Sequence, residues 1–346
     1  MKDRFEKALY VFLDEYTSPR ELYDPIHYLL KGGGKRIRPL LTLFSAAAVA
    51  NEETLLLSPR VQREGVGGEF AEREPAMDAA IAVELIHNFT LVHDDIMDRS
   101  ELRRGRETVH VKWNESAAIL SGDAMIGLAT RALVRSARHA KQPLTVVDAF
   151  ATGMVDVCDG QALDLALMRE RNASVDAYFD MISKKTAKLL EMSVVIGARI
   201  GGADDATTEN LREFACGIGM AFQIQDDLLD LTGTADFGKQ AGGDIVEGKR
   251  TWLMIRAEAL VNAAENSEAY AGYAELIDTF YKRDGLDRER IPEVIAMMQN
   301  LGVLDEANTL IEKTTRDAYA HLHALPHTPA RDMLEELAHN LVARRT

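Results

Sequence analysis

A chain of 346 residues, 47% apolar and 27% charged, carries enough apolar mass to bury a substantial core, as one large domain or two smaller ones. Its 40 lysines and arginines stand against 55 acidic residues, and the net charge of −15 argues against nonspecific binding to nucleic acid or anionic lipid. The two cysteines, Cys158 and Cys216, have neither metal-ligand spacing nor a disulfide framework, so a reducing compartment and two core thiols are expected.

The first residues, Met1 to Glu6, lack an apolar signal core, and the longest apolar stretch, around Leu40 to Ala50, is too short to span a bilayer, which predicts a cytoplasmic protein without a membrane span. The segment GGGKRIRP, Gly32 to Pro39, reads locally as a glycine-terminated helix with a basic turn. Residues 51–75 are polar, contain Gly65, Gly67 and Gly68, and are assigned to a surface insertion. Beyond them apolar residues recur at three- and four-residue spacing, as in Ile81, Leu85, Phe89, Val92 and Ile96, and no alternating strand pattern is evident. The expectation is an all-α chain in a single domain, 1–346. Ser174 is placed to cap the turns leading to Lys185, Gly201-Gly202 to end a helix, and Thr328-Pro329 to open the last one. Gly233 to Arg250, rich in glycine and cations, is predicted to be a functional loop that folds over an anion.

Two copies of one pattern, Asp-Asp-x-x-Asp, carry the chemistry: Asp94, Asp95 and Asp98, then Asp226, Asp227 and Asp230, each in an apolar-periodic helical stretch. On a helix, residues i and i+4 lie about 40° apart and one turn up, so Asp94 and Asp98, like Asp226 and Asp230, share a face. Clustered carboxylates raise one another's pKa unless a cation offsets the repulsion, and a hard ion such as Mg²⁺ takes its remaining ligands from water and phosphate. The double motif points to a diphosphate held by metal. Solvated helix caps would explain one such motif but not two.

Around these motifs the chain reads HNFTLVHDDIMDRSELRRGRETVH and AFQIQDDLLDLTG, followed by FGKQAGGDIVEGKRT. Together with GGGKRIRP, these segments resemble the trans-type isoprenyl diphosphate synthases, from about Lys31 to Thr251. The resemblance implies a bundle of roughly ten or more helices around an apolar cavity, the isoprenoid synthase fold, and a homodimer. It implies that the six aspartates bind two to three Mg²⁺ ions that bridge to an allylic diphosphate. Lys35, Arg38, His87 and Arg104 match the family's seat for the diphosphate of isopentenyl diphosphate. Arg103, Lys185, Lys239 and Lys249 match residues that contact the allylic diphosphate, Thr186 and Gln223 those facing the reacting carbons, and Gln161 and Asp164 the supporting GQxxD element. The implied reaction is ionisation, head-to-tail condensation and proton loss, with no protein base nominated. Phe89, with the small Thr90 behind it, resembles the archaeal pattern that stops elongation at a twenty-carbon product; farnesyl diphosphate is the alternative. A terpene cyclase or a silent partner subunit fits less well, because both aspartate motifs and GGGKRIRP are intact.

Overall fold

Apolar spacing becomes helix nearly everywhere. The computed structural model describes residues 1–50, 74–233, 241–264 and 268–343, and among these the chain is all α apart from an antiparallel hairpin that pairs Leu102–Arg103 with Arg106–Glu107. Residues 51–73 of the assigned insertion and Lys239 lie outside the described residues, whereas Glu74 and Pro75 open the helix Pro75–Met97. Helix ends fall where local chemistry places them. Ser174 Oγ accepts from Ala177 N at 3.0 Å and Thr328 Oγ1 from Arg331 N at 3.1 Å, while Gly202, at φ 88°, follows the helix Lys188–Gly201.

The chain forms two compact units. The first comprises Met1–Met154, Met192–Arg212 and Leu325–Leu334. Its centre is the helix Pro75–Met97, which is buried on every side from Ala76 to Ile86 and, apart from Asp78 and Glu84, is apolar all round rather than amphipathic. It packs along Glu115–Ala137 and Ile37–Ala50. Small residues such as Ala79, Ala82, Ala118 and Ala129 bring the backbones together, and Ile81, Leu85 and Ile86 each contribute roughly 2 kcal/mol by burial. Asp78 is tolerated in this core because Arg135 Nη2 lies 3.3 Å from its carboxylate.

The second unit comprises Val155–Glu191, Glu213–Ala324 and the chain from Glu335 onward. Here the helix Trp252–Ala263 packs against Ala271–Arg283, Val303–His323 and Val175–Ile182. Its buried Trp252, Leu253 and Ile255 face that core, and the Arg256 Nε to Glu306 Oε2 ion pair of 2.6 Å tethers its surface. Arg250 stacks its guanidinium over Tyr281, 4.4 Å from the ring centroid, and so anchors the chain just before this helix.

Two expectations change. Cys158 is exposed and Cys216 only half-buried, so neither is a core thiol; Cys158 falls on an outward position of the helix Pro143–Leu167. Ile37–Ala50 is not the longest apolar element, since Glu115–Ala137 is, by length and composition alone, long and apolar enough to cross a membrane.

Candidate active site

In the first unit the segment after Leu30 doubles back through left-handed backbone: Gly33 at φ 76°, Gly34 at φ 147° and, unusually for a side-chain-bearing residue, Arg36 at φ 54°. What holds it there is burial of the Arg36 guanidinium. Its Nη1 donates to Glu84 Oε1 at 2.5 Å and its Nη2 to the Leu30 carbonyl at 2.6 Å. The turn delivers Arg38 to the start of Ile37–Ala50, where its Nη1 donates to His87 Nε2 at 3.1 Å. An accepting Nε2 leaves the His87 proton on Nδ1. Burial, and then Arg38, push the His87 pKa well down, so the ring is neutral. Burial also lowers the Arg38 pKa to about 10. His87 Nδ1 and Arg38 Nε are both buried and find no hydrogen-bond partner.

The hairpin adds two more cations. Arg104 and Gly105 form its two-residue turn, at φ 54° and 72°, as a type I′ connection requires. Arg104 donates to the Gly33 carbonyl, and its Nη1 lies 2.8 Å from where a Cβ on Gly34 would project; the φ of 147° at Gly34 is what favours glycine there. Arg106 stacks over the Tyr28 ring at 3.9 Å and secures the hairpin. Arg103 Nε donates to Asp95 Oδ1 at 2.7 Å. Burial raises the Asp95 pKa against the pull of Arg103, and Asp95 Oδ2 is buried without a partner. Lys35 is exposed, Asp94 half-buried and Asp98 exposed, where the Asp98 N–H closes the helix on the Asp94 carbonyl at 2.8 Å. Phe89 meets His93 edge to face, with ring centroids 4.8 Å apart, and Thr90 Oγ1 donates to the His87 carbonyl.

In the second unit a chain of hydrogen bonds runs through the second motif. Thr186 Oγ1 donates to Gln223 Oε1 at 2.8 Å, Gln223 Nε2 to Asp227 Oδ1 at 2.9 Å, and the buried Tyr178 hydroxyl to Asp227 Oδ2 at 2.6 Å. Burial raises the Asp227 pKa to about 7, although both hydrogen bonds favour its charged form. Lys185 pairs with Asp164. Lys185 and Thr186 lie not in ordinary α-helix but in a π-helical turn, Ser183–Ala187, seated where Gly160 leaves room for the passing backbone. Asp230 Oδ2 accepts from Asp244 N at 2.8 Å, and Lys249 Nζ lies 3.0 Å from both Asp244 Oδ1 and Glu247 Oε2. Burial opposes the Lys249 charge, yet those two carboxylates raise its pKa. Lys185, Thr186, Gln223, Asp226, Asp227 and Lys249 share the wall of a cavity of about 120 Å³.

Among the described residues no three His, Cys, Asp or Glu side chains form a ready-made metal cage. The donor set still fits magnesium. Each unit by itself offers carboxylate oxygens, with one orphaned on Asp95 in the first and the Asp227 carboxyl raised by burial to about 7 in the second, and such an ion completes its shell from water and phosphate. Sequence reasoning missed Arg36, Glu84, Gly160, Tyr178 and Asp244. The one signal for Glu84 was its position as a lone acid in the apolar run from Ala79 to Ile86.

Residues 19–298 match the sequence pattern of the family described as Polyprenyl synthetase. A protein named geranylfarnesyl diphosphate synthase from Natronomonas pharaonis is 35% identical over 94% of this chain and 91% of its own length. One named geranylgeranyl diphosphate synthase from Methanosarcina mazei is 33% identical over 95% and 91%. Among solved structures, one described as a geranylgeranyl pyrophosphate synthase superposes with a TM-score of 0.83 at 32% identity, covering 100% of this chain and 98% of that one.

Proposed function

From the premise that the chain belongs to the polyprenyl synthetase family and is a trans-prenyltransferase, we propose that it condenses isopentenyl diphosphate head to tail with an allylic diphosphate of five to fifteen carbons to give geranylgeranyl diphosphate. The observation that carries this reading is the pair of buried donors in the first unit, Arg38 Nε and His87 Nδ1, which lack any protein acceptor beside Arg36 and Arg104. A diphosphate supplies the missing acceptors, and arginine forks bind its oxygens in pairs. Lys35, Arg38, His87 and Arg104 therefore seat isopentenyl diphosphate.

Arg103, Lys185, Lys239 and Lys249 bind the allylic diphosphate, with Lys185 steered by Asp164 and Lys249 by Asp244 and Glu247. Asp94, Asp95 and Asp98 in one unit and Asp226, Asp227 and Asp230 in the other are the residues that would hold magnesium. When bound, magnesium supplies positive charge against which a diphosphate can leave. The hydroxyl of Thr186 and the amide of Gln223, fixed by their mutual bond, offer oxygen lone pairs to the allylic cation. Met181 and Ile182, on the same cavity wall, are the apolar side chains that would keep water from that cation. No side chain is assigned the final proton, which the released diphosphate is basic enough to accept.

The named relatives differ in product length, and Phe89 five residues before Asp94 favours the twenty-carbon product here. A homodimer is part of the same reading. The test is incubation with Mg²⁺, isopentenyl diphosphate and each allylic diphosphate from five to fifteen carbons, with chromatography of the dephosphorylated products. A twenty-carbon alcohol supports the proposal; elongation equally fast in excess EDTA, or after Asp94→Ala with Asp226→Ala, overturns it.

A further inference from the structure

Glu84 sits 4% exposed within the apolar run from Ala79 to Ile86, where an acid needs a reason. It is immobilised twice by Asn88, whose Nδ2 donates to the Glu84 carbonyl at 2.8 Å and to its Oε1 at 3.1 Å. The same Oε1 accepts from Arg36 Nη1 at 2.5 Å, and Arg36 is 3% exposed. A further carboxylate, Glu6, reaches Arg36 Nε at 3.4 Å from the edge. Arg36 in turn holds the left-handed turn between Lys35 and Arg38.

Glu84 therefore bears on three guanidinium groups. It favours the charged forms of Arg36, Arg38 and Arg104, against burial that disfavours each. Without it, three cations would crowd around neutral His87 before any anion arrives. We propose that Glu84 is a positioning residue for the isopentenyl diphosphate seat: through Arg36 it fixes the turn that presents Lys35 and Arg38, and it is the resident counter-charge that keeps the arginines assembled in the empty site. The proposal rests on the functional reading above. Glu84 touches no substrate; it acts through Arg36.

The experiment varies each substrate separately in steady-state kinetics on the full chain. Glu84→Gln keeps the shape and an acceptor but removes the charge, and should raise KM for isopentenyl diphosphate about tenfold while KM for the allylic partner stays within about twofold. Arg36→Lys, at the other end of the ion pair, should give the same one-sided change, and Glu84→Asp should recover part of the loss. A merely structural role would move both KM values together, and that result, or an unchanged KM for isopentenyl diphosphate, overturns the proposal. If Glu84→Gln fails to fold, Arg36→Lys decides in its place. Calorimetric titration of metal-free protein with inorganic pyrophosphate separates this inference from the functional reading. A wild type that binds pyrophosphate but elongates nothing sinks the function alone, whereas Glu84→Gln binding pyrophosphate as tightly as wild type sinks the role of Glu84.

Discussion

Gly160 and Lys185 touch through their backbones: a Cβ added to Gly160 would lie 2.2 Å from the amide nitrogen of Lys185 and 2.7 Å from the carbonyl carbon of Lys184. Neither atom belongs to a flexible side chain that could swing aside. Gly160→Ala should therefore push the π-helical turn Ser183–Ala187 off the helix Pro143–Leu167, parting Lys185 from Asp164 and Thr186 from Gln223. The expected result is a loss of about 1–3 kcal/mol in stability and a fall in kcat of tenfold or more, read by thermal melting and initial rates. Wild-type kcat in Gly160→Ala would mean that this turn need not be held in register.

Asp227 gives the protein a pH signature. Its pKa in the fold, about 7, lies above the ordinary carboxylate value, so the proton binds more tightly in the folded state than in the unfolded one. The stabilisation from that protonated form is fully present below the unfolded value of 3.8 and is lost as pH rises through about 7. Metal requires the ionised form, which forms over the same interval. The melting temperature without metal should accordingly fall between about pH 4 and 7 and level off above that, and the gain on adding Mg²⁺ should grow over the same interval. Tyr178→Phe removes a hydrogen bond that favours the carboxylate, so the Mg²⁺ gain should then need a higher pH. A gain independent of pH across this range, in both proteins, would contradict the assignment.

Phe89 is the expected stop for the growing chain. It lies five residues before Asp94, about 7.5 Å down the helix, with its ring set edge to face against His93. Phe89→Ala should lengthen the major product by one or more five-carbon units, and His93→Ala, which frees the ring, should broaden the distribution. Chromatography of the products decides; an unaltered distribution in Phe89→Ala would remove Phe89 from this role.

Local chemistry made much of this legible. Caps at Ser174 and Thr328 and the break at Gly202 rest on residues within three positions of one another, so sequence alone places them. The aspartate motifs fall on helices for the same reason, with Asp98 one residue past the end of Pro75–Met97 as its C-cap. What escaped depends on distance along the chain. Tyr178 meets Asp227 across 49 residues and Arg36 meets Glu84 across 48, and no periodicity encodes either pairing. The π turn at Lys185 reads as plain helix because its cause, the gap at Gly160, lies in another helix. The hairpin at 102–107 has strands of two residues, too short for alternation to register.

The handedness of one residue sets the direction in which this chain would drift. Arg104 occupies left-handed backbone at φ 54°, where a Cβ costs on the order of 1 kcal/mol that glycine or asparagine would largely avoid. Selection for heat tolerance would act against the arginine as far as its bond to the Gly33 carbonyl does not offset that cost, and on the proposed reading its hold on isopentenyl diphosphate preserves it. If Arg104 seats isopentenyl diphosphate as proposed, position 104 is a place where robustness and activity pull against each other, and a thermostabilised descendant that lost its arginine there would be a sturdier protein with a vacant chair for one of its two reactants.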